Sequence, residues 1–244
     1  MKVIKFGGTS VADAQQVLKI VRIVKADPAR RIVVVSAPGK RSPQDTKVTD
    51  LLISLANTVL AGRPFEADLD AVVGRYAEIQ RDLGLDSGIV AEIEEDLRGR
   101  IRGRSTHDAQ FVDTMKAAGE DNSAKLVARV FIGQGVPARY VDPREAGMLL
   151  SEDFGNAQVL PESYGRLAAL KDTRDVVIFP GFFGVTKKGQ IATFPRGGSD
   201  ITGSILAAAV GAEVYENFTD VDSVFAIDPR IVPGAPAIPI LTYR

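Results

Sequence analysis

Hydrophobic and polar positions along this chain alternate between two rhythms, one of strands and one of helices. Val3-Ile4-Lys5-Phe6 is a short apolar run that stops at a glycine pair and predicts a strand. From about Ala12 to Lys25 the apolar residues fall at helical spacing, with Val17, Ile20, Val21 and Val24 on one face. Arg31 to Ser36, centred on Ile32-Val33-Val34-Val35, is a continuous β-branched run that suits a central parallel strand covered on both faces. Ala37 to Lys47 carries two prolines, a glycine and several charges and reads as a mobile loop, after which Val48 to Leu60 predicts an amphipathic helix. Between about Pro64 and Gly119 the pattern is helical without strong strands, and predicts an insertion of largely solvent-facing helices packed beside the sheet. Later strands are expected at Ala138–Val141, Val176–Phe179, Gln190–Phe194 and Glu213–Phe218, with a hairpin turn over Val185–Gln190. Helices are expected near Ser123–Gly133, Pro161–Lys171 and Asp200–Val210. Alternating units of this kind predict an α/β three-layer sandwich with a largely parallel central sheet and right-handed crossovers, all in one domain over 1–244.

Composition narrows the function classes. A formal net charge of −1 argues against non-specific nucleic-acid binding, which needs a basic surface to neutralise phosphates. No apolar run reaches the ~20 residues needed to span a bilayer, and Met1-Lys2-Val3-Ile4-Lys5 leads into a strand in place of a signal region. The chain has no cysteine, so thiolate chemistry and disulfides are absent, and the cytoplasm is the default compartment. With one histidine, His107, a Ser-His-Asp triad or multi-histidine metal centre is not expected; His107 reads as a surface or capping residue.

The candidate chemistry sits at two glycine pairs about 190 residues apart. Lys5-Phe6-Gly7-Gly8-Thr9-Ser10 and Arg196-Gly197-Gly198-Ser199-Asp200 each stand near a strand-to-helix junction. Glycines let the backbone approach an anion closely, and a following helix turns free N–H groups and a positive dipole end toward it. Lys5 and Arg196 add cationic donors, so the two loops suggest convergence on one phosphate-bearing ligand.

These blocks, with Val34-Val35-Ser36-Ala37 and Thr219-Asp220-Val221-Asp222 followed by Asp228-Pro229-Arg230, resemble in order the signature blocks of the aspartokinases, within the amino acid kinase superfamily. The resemblance implies transfer of the ATP γ-phosphoryl group, with Mg2+, to the side-chain carboxylate of L-aspartate, the first step toward lysine, threonine and methionine. Lys5 matches the family's catalytic lysine. Asp200 matches an aspartate that orients the reacting groups, through Lys5 or a metal-bound water. Gly7 and Gly8, with Gly197 and Gly198, match the backbone donors to phosphate. Substrate contacts are implied at Ser36, Thr49, Glu120 for the ammonium, Arg196 for a carboxylate, and Ser199. Nucleotide contacts are implied at Thr219 and Asp220 near ribose and base, Phe225 by the purine, and Arg230 at the phosphates. No metal ligand is named, because Mg2+ usually keeps several waters and few protein ligands. Two departures are visible: Pro38-Gly39-Lys40-Arg41 follows the Ser36 block where small residues are common, and Phe225 stands where tyrosine is frequent.

The resemblance further implies a kinase domain that lacks its last segment, the ACT regulatory domains that would follow, and a homodimer in the full-length protein. Each residue has a plainer reading when taken singly. Lys5 could be a solvated strand end, Gly7-Gly8 a tight turn, Glu120 an acid at a helix N-terminus, and Arg196 and Asp200 partners of one another. At the level of function, the alternatives are another carboxylate or carbamate kinase of the superfamily, or a non-catalytic nucleotide-binding fragment.

Overall fold

The β-branched run Ile32-Val33-Val34-Val35 fills the buried end of strand β2 (Arg30–Val35). The computed structural model describes residues 1–219, 231–232 and 234–236. In it β2 is flanked by β1 (Lys2–Phe6) and β4 (Val176–Pro180), with β3 (Ala138–Tyr140) and β7 (Val214–Phe218) outside them. The described sheet runs β3-β4-β2-β1-β7, and every pairing in it is parallel. A separate antiparallel hairpin joins β5 (Phe183–Val185) to β6 (Ile191–Thr193) across the expected turn.

Side chains on the strands alternate between two apolar clusters, one on each face of the sheet. Ile4, Phe6, Val33 and Val35 face the first. Its helices are α1 (Ala14–Lys25), α2 (Val48–Leu60), α3 (Glu66–Leu83), α4 (Gly88–Arg102) and α5 (Asp108–Gly133). Val3, Ile32, Val34 and Phe179 face the second, which is covered by α7 (Glu162–Leu167), α8 (Gly198–Val210) and the β5–β6 hairpin; the short α6 (Pro143–Ala146) precedes them. The result is the expected three-layer α/β sandwich, with a parallel sheet whose central strands β1, β2 and β4 are largely buried on both sides.

Several expectations are corrected in detail. The helix expected from about Ala12 is α1, which starts behind Asp13, whose carboxylate accepts from the Gln16 N–H at 2.9 Å, and a 3-10 turn over Gly8–Val11 precedes it. The helix expected at Ser123–Gly133 is the second half of α5, which runs unbroken through Gly119. Its middle, Gly119–Ala124, is buried on all sides although four of its residues are polar or charged, so no apolar period announces it. The helices of 64–119 contribute Leu69, Val72, Tyr76, Ile79, Ile89, Ile93 and Leu97 to the first cluster, so their inner faces are core and not solvent-facing. The helix expected over Pro161–Lys171 is a short α7 followed by a 3-10 turn over Ala168–Asp172.

The loop Ala37–Lys47, expected to be mobile, is anchored at both of its ends. Ala37, Pro38 and Gly39 are buried, and the Gly39 N–H donates to the Gly8 carbonyl at 2.8 Å. Arg75 of α3, itself buried, donates to the carbonyls of Gly39 at 2.9 Å and Thr46 at 2.6 Å. Gly39 and Gly8 approach so closely that a Cβ on Gly39 would stand 2.6 Å from the Gly8 carbonyl carbon and 2.8 Å from the Thr9 nitrogen. Backbone on both sides leaves nothing to yield, so Gly39→Ala is expected to lower stability by about 1–3 kcal/mol. Chemical denaturation beside the exposed-site control Lys40→Ala checks this, and equal stabilities would contradict it.

Candidate active site

The site begins with strand parity. Lys5 shares its face of β1 with Val3, which packs in the second cluster, so its side chain points toward α8. There its Nζ meets Asp200 Oδ1 in the first turn of α8, at 2.7 Å. The β1–β7 register places Asn217 beside Lys5, and the Asn217 amide donates to the same Asp200 oxygen at 3.0 Å. Lys5 is 7% exposed, and this contact fixes its ammonium at the carboxyl edge of the sheet. Asp200 does not pair with Arg196, which is exposed and makes no ion pair among the described residues.

This edge is also where the connections change sides. The crossover from β1 to β2 carries α1 on one face, whereas α8, which leads into β7, lies on the other. Open parallel sheets bind ligands at such switch points. The Gly7-Gly8 loop and the Gly197-Gly198 loop therefore enter the same crevice from opposite faces. Gly197 takes φ +85°, a left-handed conformation that suits glycine, and caps the N-terminus of α8. Gly198, Ser199 and Asp200 form the first turn behind it, with the positive end of the helix directed at the crevice.

The crevice is a cleft of about 420 Å³. It gathers Lys5, Gly7, Gly8, Ser36, Thr49, Glu120, Arg196, Gly197, Gly198, Ser199 and Asp200, candidates from five separate stretches of the sequence. Ser36 lies at the end of β2, Thr49 in the first turn of α2, and Ser199 is buried against Gly181. Thr219 follows β7 directly and is exposed, and it does not line the cleft. Asp220, Phe225 and Arg230 lie outside the described residues.

Glu120 is the most unusual group in the cleft. It sits in the middle of α5, not at a helix N-terminus, and is 6% exposed. Burial pushes its carboxyl up to about 8, against the opposing pull of the Ala37 backbone hydrogen bond and the nearby charges of Lys116 and Lys47. Its Oε2 has no hydrogen-bond partner among the described residues. A buried acceptor left open inside a cleft is available to a donor on a ligand.

Several lining residues carry no motif and were missed in the sequence, among them Lys47, Asp50, Ile53, Lys116, Gly155, Phe182 and Phe194. Lys116 is the one the sequence could have offered, because it precedes Glu120 by four residues and helical spacing puts both on one face. Phe182 has φ 75°, the only positive value outside glycine among the described residues. Its N–H donates to Thr202 Oγ1 at 3.0 Å and its carbonyl accepts from the Phe194 N–H at 2.9 Å. Backbone strain held in place this way gathers at functional sites. His107 is the N-cap of α5, with its Nδ1 accepting from the Gln110 N–H. No helix among the described residues is long and apolar enough to cross a membrane.

The fold has counterparts among known proteins. The model of the amino acid kinase family matches residues 1–244. Aspartokinase 3 of Bacillus subtilis is 50% identical over 244 residues, covering 100% of this chain and 54% of that protein. Lysine-sensitive aspartokinase 3 of Escherichia coli is 33% identical over 248 residues, covering 98% of this chain and 53% of that protein. Among solved structures, E. coli aspartokinase III in complex with aspartate and ADP superposes with a TM-score of 0.84 at 31% identity, over 98% of this chain and 53% of that one. Clostridium acetobutylicum aspartate kinase superposes with a TM-score of 0.83 at 33% identity, over 96% of this chain and 51% of that one. The chain thus spans about half the length of these relatives.

Proposed function

The chain belongs to the amino acid kinase family, and on that premise we propose that it forms the catalytic domain of an aspartate kinase, which phosphorylates the side-chain carboxylate of L-aspartate with ATP. The carrying observation is the open Glu120 Oε2 in one cleft with Lys5 and Arg196. A buried carboxylate with a vacant acceptor suits a substrate ammonium, whereas an N-acylated amino acid offers no cation there. Exposed Arg196 at the cleft mouth suits a carboxylate, which its guanidinium can grip in a fork. The E. coli relative that superposes on the chain was solved with aspartate and ADP.

In this reading the nucleotide phosphates lie between the two glycine loops, held by backbone N–H groups and the α8 N-terminus. An oxygen of the side-chain carboxylate attacks the γ-phosphorus while the bond to the ADP oxygen breaks, leaving 4-phospho-L-aspartate and ADP. The attacking carboxylate is already ionised at pH 7, so no strong base is required. The task is charge neutralisation, and Lys5 supplies it beside the transferring group while Asp200 and Asn217 hold Lys5 in place. Ser36, Thr49 and Ser199 serve as hydroxyl contacts to the substrate. Thr219, Asp220, Phe225 and Arg230 carry the nucleotide roles that the family resemblance implies.

Mg2+ fits this donor set as an ion that arrives on the nucleotide. The described residues hold no group of three or more His, Cys, Asp or Glu side chains able to cage a metal, and Mg2+ is commonly held by phosphates, waters and one or two carboxylates. Asp200 is the cleft carboxylate nearest to that role, and the ion would neutralise charge on the phosphate oxygens. The wider reading, a cytoplasmic homodimer at the first step toward lysine, threonine and methionine, is supported by the same resemblance.

The test is ADP release with L-aspartate against N-acetyl-L-aspartate. Turnover of the free amino acid with at least a 100-fold preference, about the value of one ion pair in a desolvated site, is the expected result. Equal turnover of both would remove Glu120 from the ammonium role.

A further inference from the structure

We propose that Lys116 is a substrate-binding residue that takes the α-carboxylate of the amino acid, beside the ammonium received by Glu120; this assignment rests on the aspartate kinase reading. Lys116 and Glu120 are one helical turn apart on α5 and line the same cleft. Groups placed so close on one face address neighbouring groups of the ligand. In an α-amino acid the ammonium and the α-carboxylate are attached to one carbon, whereas the side-chain carboxylate is the group that must meet the transferring phosphoryl beside Lys5. The carboxylate nearest Lys116 is therefore the α-carboxylate, which Lys116 meets from the cleft wall while Arg196 grips it from the exposed side.

The ammonium of Lys116 is held in a built fixture. Its Nζ lies 2.7 Å from Asp113 Oδ1 and donates to Thr193 Oγ1 at 3.0 Å, with the Phe182 ring centroid 5.6 Å away. Asp113 is 1% exposed and is itself pinned by the Gly155 N–H at 2.7 Å and by the N–H and hydroxyl of Thr193, both at 2.8 Å. An ammonium has three donors. Two are spent on Asp113 and Thr193, and the third has no partner among the described residues. Lys116 faces the cleft from a side chain only 16% exposed, so a carboxylate that meets this third donor finds it already oriented. A cation that served only to balance Asp113 would not need to line the ligand cleft. Phe182, the residue with φ 75°, lines the same cleft.

Steady-state kinetics with L-aspartate and with its α-amide, which keeps the side-chain carboxylate but neutralises the α-carboxylate, test the assignment. Lys116→Met is expected to raise the KM for L-aspartate about 10- to 100-fold, the loss of one hydrogen bond to a charged group, with kcat and the KM for ATP within a few-fold of wild type. With the α-amide, wild type and variant are expected to converge within a few-fold. Equal losses on both substrates, or a shifted KM for ATP, would overturn the assignment. Asp113 keeps three other donors in this variant, and thermal melting checks that the fold survives. If Lys116→Met does not fold, Lys116→Gln removes the charge but keeps donors for Asp113 and Thr193, and carries the same comparison. A wild type that turns over no L-aspartate overturns the aspartate kinase reading and this assignment together. Wild-type turnover with equal losses on the two substrates overturns the assignment alone.

Discussion

Replacing Lys5 by methionine is expected to lower kcat by about 10³-fold, near the upper end for losing one preorganised donor to developing charge, while the KM for L-aspartate stays within a few-fold. The expectation follows from how narrowly the structure fixes this group. Strand parity sends Lys5 toward α8, Asp200 and Asn217 hold it at the sheet edge, and its stem is buried. Methionine retains most of the stem's bulk, so the change is mainly one of charge. Asp200, at 47% side-chain exposure, stays solvated when its partner goes, and the loss of stability is expected to be under about 1 kcal/mol. Lys5→Arg should not restore the rate, because a planar fork cannot occupy the place of a compact ammonium between Asp200 and the phosphates. A Lys5→Met protein retaining a tenth or more of wild-type kcat would show that the charge on the transferring group is neutralised elsewhere.

The second large effect belongs to Glu120. Glu120→Gln is expected to raise the KM for L-aspartate by about 10²-fold or more, the range for removing one member of a buried charge pair, and to remove most of its pH dependence. The sign follows from burial. In the free protein the carboxyl titrates near 8, well above the ordinary carboxylate value of 4.5, so at pH 7 it is mostly protonated. A bound ammonium favours the ionised form and lowers that value. Binding of L-aspartate below pH 8 therefore releases a proton, and affinity strengthens as pH rises toward 8 and then levels. Calorimetric titration at pH 7 in two buffers of different ionisation enthalpy reads the proton directly. Release of close to one proton in wild type and none in Glu120→Gln is the expected pair of results.

The same shift has a stability consequence of opposite direction. Between about 4.5 and 8 the folded protein holds a proton on Glu120 that the unfolded chain does not, so stability falls with rising pH across that window. Glu120→Gln is expected to flatten this segment of the pH–stability profile. A substrate site kept at the expense of stability in this way is a common trade-off in enzymes.

Much of the fold and site was legible in the chain because the signals were local. The run Ile32–Val35 announced a strand buried on both faces, and helical spacing announced α1 and α2. The two glycine pairs with Lys5 and Arg196 pointed to one cleft, and the structure brings them together. What stayed hidden depends on distant partners. The loop after β2 carries every composition mark of mobility, and what ties it down is distant: the Gly8 carbonyl, and Arg75, a buried cation on a helix 29 residues beyond Thr46. The unbroken course of α5 was masked because its middle buries polar residues against the site, where an apolar period would otherwise run. Asn217 enters the site through the register of β1 with β7, and Phe182 through a backbone angle, and neither leaves a mark in sequence spacing. Lys116 stands outside any motif, and its only sequence mark is its place four residues before Glu120 on one helix face.

The most direct measurement is acyl phosphate formation with Mg-ATP, trapped by hydroxylamine and read as hydroxamate alongside ADP release. L-aspartate is expected to give stoichiometric hydroxamate and ADP, with both lost in Lys5→Met. A protein that binds ATP, gives no hydroxamate from L-aspartate and yet phosphorylates glutamate, N-acetylglutamate or carbamate would contradict the aspartate assignment and place its substrate elsewhere in the family.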